Sequence, residues 1–351
     1  MLNRTQKWVP LIIILGFSVT FGLVACTTGL LNKSEDAGSS TSFTQSNTNS
    51  PKFKCPFDGT ALKTLPKGRP IAVIIDNLPR ARPQSGLRNA DLVFETLAEG
   101  GVTRFLAVYY HGEASKVGPI RSARPYFIDL ATSVKGVLVH SGGSPKALEY
   151  MNNTHGFPHL NEFNYATYFW RSRERRAPHN LYSSTDNLRR LSEEAGFNKE
   201  VEISSFNFET ATEGASREPA EEGLRSSEIK IDFPKGYDVS YTYIPERKLY
   251  SRFIAGEPHM DELTKRQLSP RNIIVKFVKT RVVDSQGRLE MDLSGHGRAL
   301  VFSGGRVTEA VWQKDATDQV STFKTVDGKS VELLPGQVWI EVVPETIKVT
   351  F

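Results

Sequence analysis

The sequence predicts a mixed α/β domain with flanking helices, followed by a smaller β-rich domain. Three observations carry this. Between residues 69 and 153, continuous apolar runs alternate with capped amphipathic stretches, the pattern of sheet strands and covering helices. After residue 227, short strand-like runs are separated by turn dipeptides such as Asp327-Gly328. A polar, charged connector, 212–227, lies between the two textures. The division is therefore 1–25 signal, 26–51 tether, 52–211 α/β domain, 212–227 connector and 228–351 β-rich domain, close to the two domains expected for this length.

The elements follow in order. "PIAVIIDN" is a continuous apolar run ending in Asp76-Asn77, as a buried strand ends in a functional loop. "RPQSG" is a turn. "NADLVFETLAEG" predicts a helix: Asn89 can cap it, Leu92, Val93, Thr96 and Leu97 share a face, and Gly100-Gly101 stops it. "TRFLAVYYH" is a second strand, ending at His111. "GPIRSARPYFIDLATSV" is a turn entering a helix near Ser122, with Pro125 early, where proline is tolerated. "GVLVHSGG" is a third strand and "SPKALEYMNN" a third helix. "DVSYTYI", "KLYSRFIA", "NIIVKFVKTRVVD", "RALVFSGGRVTEAVW", "STFKTV", "QVWIEVV" and "TIKVTF" supply the later strands.

Arg4 and Lys7 precede an apolar run from Trp8 to Val24, the layout of a secretory signal. Leu23-Val24-Ala25-Cys26 resembles the bacterial lipobox, which implies cleavage before Cys26 and lipid on its sulfur. The alternative is an uncleaved membrane anchor, for which about 17 apolar residues is the short limit. On either reading the chain is tethered at the extracytoplasmic face of the cell membrane. The Ser/Thr/Asn-rich tether, too polar to order itself, spans about 25–30 Å. Removing residues 1–25, with two cations and no acids, takes the net charge from +5 to +3, which marks no nucleic-acid partner. With Cys26 acylated, Cys55 is the lone thiol, so neither an internal disulfide nor a cysteine-based zinc site is expected. No cofactor and no metal are expected.

Candidate polar residues sit at strand ends and helix starts: Asp76 and Asn77, His111, and the turn His140-Ser141-Gly142-Gly143-Ser144. Arg121 and Arg124 flank Ser122 at the positive end of a predicted helix, where arginine repels the dipole unless an anion is present. Two readings are open: a ligand site, or internal pairing with Asp91, Glu95 or Glu99. The Gly142-Gly143 turn before a Ser144 cap is either a second anion-accepting helix start or an ordinary junction. His155 and His159 cannot share a helix across Gly156 and Pro158, so a metal there would need Asp76, His111 or His179 as well. Arg171, Arg173, Arg175 and Arg176, beside Tyr168, Phe169 and Trp170 and followed by His179 and Asn180, form a solvated face or a glycan or anionic-polymer surface. Glu95 and Glu99, one turn apart on the predicted helix, pair with Arg104 or act as acids. Catalysis would fall to Asp76, Glu95, Glu99 or His140. Binding of an anionic cell-wall polymer or a membrane protein is the preferred reading, and a hydrolase or transferase the alternative.

"PIAVIIDN", "RPQSGLRNADLVFETLAEGGVTRF", "GPIRSARPYF", "HSGGSP", "APHNLYSS", "GHGRALVF" and "LLPGQVWIEVVP" together resemble the YerB-type lipoproteins of Gram-positive bacteria. The resemblance covers nearly all of Cys55–Phe351 and implies a lipid-anchored envelope protein with an α/β first domain and a β-containing second one. It transfers no catalytic role. Leu78 stands where the family often has histidine, against histidine chemistry at that spot.

Overall fold

A computed structural model describes residues 52–209, 224–234 and 236–351. The expected signal, Cys26, the tether and most of the connector lie outside these residues. The principal strands, in chain order, are β1 (Ile71–Asp76), β2 (Leu92–Leu97), β3 (Thr103–Tyr109), β4 (Val137–His140), β5 (His159–Asn161), β6 (Glu228–Ile231), β7 (Val239–Ile244), β8 (Leu249–Ile254), β9 (Asn272–Val278), β10 (Gly295–Ser303), β11 (Arg306–Lys314) and β12 (Val338–Pro344). The α-helices among the described residues are α1 (Pro125–Ser133), α2 (Pro145–Asn153) and α3 (Thr185–Glu194).

Both halves of the chain build one mixed sheet of 11 strands. Its order is Leu224–Arg225, β11, β10, β9, β12, β2, β3, β1, β4, β5, with Thr322–Lys324 added on β11. The late strand β12 lies in the middle, parallel to β9 on one side and to β2 on the other. β6, β7 and β8 form a second, antiparallel sheet with Glu257–Pro258 and Val349–Thr350 at its edges. Alternate residues of β1 feed the two faces of the large sheet: Ala72 and Ile74 join Phe127 of α1 and Met151 of α2, while Ile71, Val73 and Ile75 join Leu188 and Leu191 of α3.

Two expectations are corrected. "NADLVFETLAEG" is a strand, not a helix: β2 is buried at every position between β3 and β12, and paired neighbours on both sides override its helical spacing. Helix α1 starts at Pro125 rather than near Ser122, with Arg124 as its N-cap residue. Helix α2 begins as expected, the Ser144 hydroxyl accepting from the Ala147 amide and Pro145 in the first position. The result is more strand and less helix than a flanked α/β layer implies.

Candidate functional site

Strands β1, β4 and β5 run parallel, so Asp76, His140 and Asn161 end at one edge. β3 runs antiparallel to β1, which puts His111 at the opposite edge, out of reach of Asp76. At the first edge the two predicted turns are laced together. The Ser141 amide donates to the Arg121 carbonyl (3.1 Å), the Ala123 amide to Gly142 (2.9 Å) and the Ser144 amide to Ala123 (3.0 Å). Gly142 adopts φ +63°, and a Cβ on Gly143 would stand 3.2 Å from Leu148, so the turn suits glycine.

Asp76 is the centre of this edge. Its Oδ2 accepts from His179 Nδ1 at 2.7 Å and lies 3.2 Å from Arg121 Nε, and its Oδ1 accepts from the Leu78 amide at 3.0 Å. Arg121 Nε is buried without a well-directed hydrogen bond, and Asp76 is the one side-chain partner found for this guanidinium among the described residues. Beside it, Ser141 Oγ donates to Glu162 Oε2 (2.8 Å), and Arg171 Nη2 donates to Glu162 Oε1 (2.9 Å). Asp76, Arg121, Ser141 and His179, far apart in sequence, therefore share one strand edge. Glu162 completes it and carried no motif signal.

The remaining candidates are committed elsewhere. Arg124 pairs with Glu99, which also faces Arg104 at 3.8 Å; those neighbours hold the Glu99 carboxyl below its usual range against the opposing effect of burial. Glu99 lies in a turn after β2 and Glu95 within β2, so the shared helical face does not exist. His140 is fully buried, stacked on His159, with Nδ1 donating to the Gly142 carbonyl (2.8 Å) and Nε2 accepting from His159 Nδ1 (3.1 Å). Burial pushes it down to about 4, so it is neutral at physiological pH. His155 is exposed and takes no part in the His140–His159 stack. Asn180 is buried in its own loop, bonded to Ser172, Arg175 and Arg171, while Arg176 is exposed and Ser122 half-buried. Arg175 anchors neighbouring backbone, donating to the carbonyls of Ala81 and Pro83.

Asn77 opens a buried polar network. It donates to Glu95 (3.1 Å) and Thr103 (2.7 Å) and accepts from Gln84 (2.9 Å). Gln84 accepts from His259 Nε2 (2.8 Å), and His259 Nδ1 accepts from Arg252 Nε (3.0 Å). Arg252 pairs with both Glu95 and Glu341, and Tyr241 donates to Glu341. Burial and the Glu95 charge push the Glu341 carboxyl up. No local pattern announces this network, because its members lie on strands and loops of both halves.

Beside this strand edge, Arg124, Ser144 and Lys146 line a groove of about 500 Å³ between the starts of α1 and α2 and the hairpin bearing Asp284, Arg288 and Glu290. Lys146 pairs with Glu290 and Arg288 with Asp284 across or along it.

Comparison with known proteins is consistent along the chain. Residues 59–198 match the family described as "Protein of unknown function (DUF3048) N-terminal domain", and residues 229–340 match its C-terminal domain. A Bacillus subtilis (strain 168) protein named "Putative lipoprotein YerB" is 34% identical over 301 residues, covering 84% of this chain and 87% of that one. A crystal structure of YerB protein from Bacillus subtilis superposes with a TM-score of 0.74 at 32% identity, covering 86% of this chain and all of that one.

Proposed function

This chain belongs to the two-domain DUF3048 family, and from that premise we propose that it is a lipid-anchored extracytoplasmic protein that binds an anionic component of the cell envelope. The name of its Bacillus relative supports the lipoprotein assignment, with Cys26 as the acylated residue. The anion is a polymer phosphate or a peptide carboxylate of the wall, or the acidic surface of a membrane protein.

One observation carries the binding reading. Arg121 is fixed at the sheet edge against Asp76, with no other side-chain partner found among the described residues. A guanidinium fork with unclaimed N–H groups suits carboxylate and phosphate. The Ser141–Ser144 turn, hydrogen-bonded to the same segment, adds polar groups to the same strand edge. Three of the four acid/base candidates are occupied: Glu95 in the buried network, Glu99 on Arg124, and His140 locked neutral.

The Asp76–His179 pair favours a second reading. A histidine that donates Nδ1–H to a buried carboxylate keeps Nε2 as an acceptor, the arrangement of a general base. The hydrolase or transferase alternative rests on that pair, with Arg121 stabilising developing charge.

Thermal unfolding of the full chain in detergent, against muropeptides, teichoic acid fragments, phosphate and sulfate, tests both. A ligand at 100 times its Kd adds about 2.7 kcal/mol. One anionic class should raise Tm, and Arg121→Ala should abolish the rise. If no member of the panel raises Tm, or the rise survives Arg121→Ala, the binding reading fails. Turnover of the binding ligand, lost in His179→Gln, would establish the second reading instead.

A further inference from the structure

The opposite edge of the sheet, away from Asp76 and Arg121, gathers a second constellation. Cys55 and Asp58 lie in one tight turn, closed by the Cys55 amide on the Thr60 carbonyl (2.8 Å) and the Gly59 amide on Cys55 (2.9 Å). Asp91 immediately precedes β2, and His111 follows β3 with Tyr110 between. A sulfur of Cys55, an oxygen of Asp91 and a ring nitrogen of His111 lie within 4.8 Å of one another. Asp58 Oδ2 and Asp91 Oδ1 both stand 3.0 Å from His111 Nε2. That nitrogen carries at most one proton, which cannot point at both oxygens.

We propose that Cys55, Asp58, Asp91 and His111 bind a zinc ion. One soft thiolate, one imidazole and two carboxylates form a zinc-type donor set, whereas calcium and magnesium take oxygen alone. A tetrahedral zinc with bonds of about 2.0–2.3 Å spaces its ligand atoms roughly 3.3–3.8 Å apart; Cys55, Asp91 and His111 close in from within 4.8 Å of one another, and Asp58, 3.0 Å from His111, moves further to join them. Their supports are built in. Asp91 Oδ2 accepts from the amides of Tyr110, His111 (3.0 Å) and Gly112 (3.2 Å), which leaves Oδ1 facing the histidine. Asp58 accepts from the amide and hydroxyl of Thr60 at 3.0 and 2.7 Å. Such outer partners orient metal ligands. Gly112 makes room: a Cβ there would stand 2.1 Å from the Asn89 carbonyl and 3.0 Å from Asp91 Oδ1. The nearby cation, Arg189, donates to the carbonyls of Tyr110 and Gly112 rather than to either carboxylate.

Cys55, Asp58 and Asp91 are buried and His111 is about a quarter exposed, so one side admits an ion from solvent. The thiol proton leaves to solvent with any proton on His111 Nε2, and the imidazole binds as a neutral ligand. This departs from the expectation of no cysteine-based zinc site, because imidazole and carboxylate donors stand in for further thiols. The ion would fasten the Cys55–Thr60 turn to the start of β2 and the end of β3.

The test is metal binding by the full chain in detergent. Wild type should retain one zinc per chain after desalting, and zinc should raise Tm reversibly with chelator. Cobalt(II) should give a thiolate-to-cobalt charge-transfer band that Cys55→Ser abolishes. Should Cys55→Ser fail to fold, His111→Gln, at a partly exposed residue, should melt like chelated wild type yet bind zinc at least about 10-fold more weakly. No retained zinc, a cobalt complex without the charge-transfer band, or undiminished binding by His111→Gln would overturn the site.

Discussion

Arg252 of the second half of the chain donates to Glu95 of the first, and both side chains are fully inaccessible to solvent. The same guanidinium holds Glu341 of β12 at 2.8 Å and lies over the Trp339 ring, its carbon 4.7 Å from the ring centroid. Removing it strands two carboxylates in the interior. Arg252→Met is expected to cost about 3–5 kcal/mol, measured by urea unfolding. A loss below about 1 kcal/mol would show that the network contributes nothing to holding the halves together.

Arg121 and Arg124, three residues apart, should separate in their effect on stability. Arg121 faces Asp76, which is 1% exposed, whereas Glu99 is 20% exposed and keeps Arg104 when Arg124 is lost. Arg121→Ala is expected to cost about 1–3 kcal/mol and Arg124→Ala about 1 kcal/mol or less. Calorimetry without ligand checks the order, and equal or reversed losses would refute it.

His140 gives an acid sensitivity. Its folded value is about 4, below the ordinary 6.5, so the unfolded chain takes up its proton first as pH falls. Its contribution is present above about 6.5 and lost on the way down to about 4. His140→Asn, whose amide can still donate to Gly142, should reduce the stability difference between pH 7 and pH 5 by about 1–2 kcal/mol. Chemical denaturation at the two pH values measures it, and an unchanged difference would remove His140 as the cause.

Lys276 is buried, with Nζ donating to the Leu293 carbonyl (3.0 Å) and Ser321 (2.9 Å), and burial pushes it down to about 7. The sign matches that of His140 in a higher window. Its cost is full below about 7 and disappears as pH rises to the ordinary 10.5. Lys276→Met should therefore stabilise the protein at pH 7, by an amount that shrinks toward pH 10. A gain that grows with pH would contradict this.

Local patterns were legible where local physics decides. The apolar run of β1, the Ser144 cap with Pro145, and the β hairpin of β10 and β11 follow from neighbours in sequence. β2 did not, because its strand pairing depends on β12, whose Glu341 pairs with Glu95 across 246 residues. The candidate site divided the same way. Arg121, Ser141 and Asp76 stood at legible strand and helix ends, but Glu162 sits in an unremarkable turn. Arg124 showed the limit of a motif: the dipole argument called for an anion, and Glu99 of the same chain supplies one.

Strand β12 has a further consequence, one of timing. It follows every other strand of the large sheet in sequence, yet it is the seam between the strands on either side. Until residues 338–344 have emerged, β2 and β9 have nothing between them, and slow, long-range closure must wait for that segment. A prematurely stopped product would present two open edges to proteases and to other nascent chains.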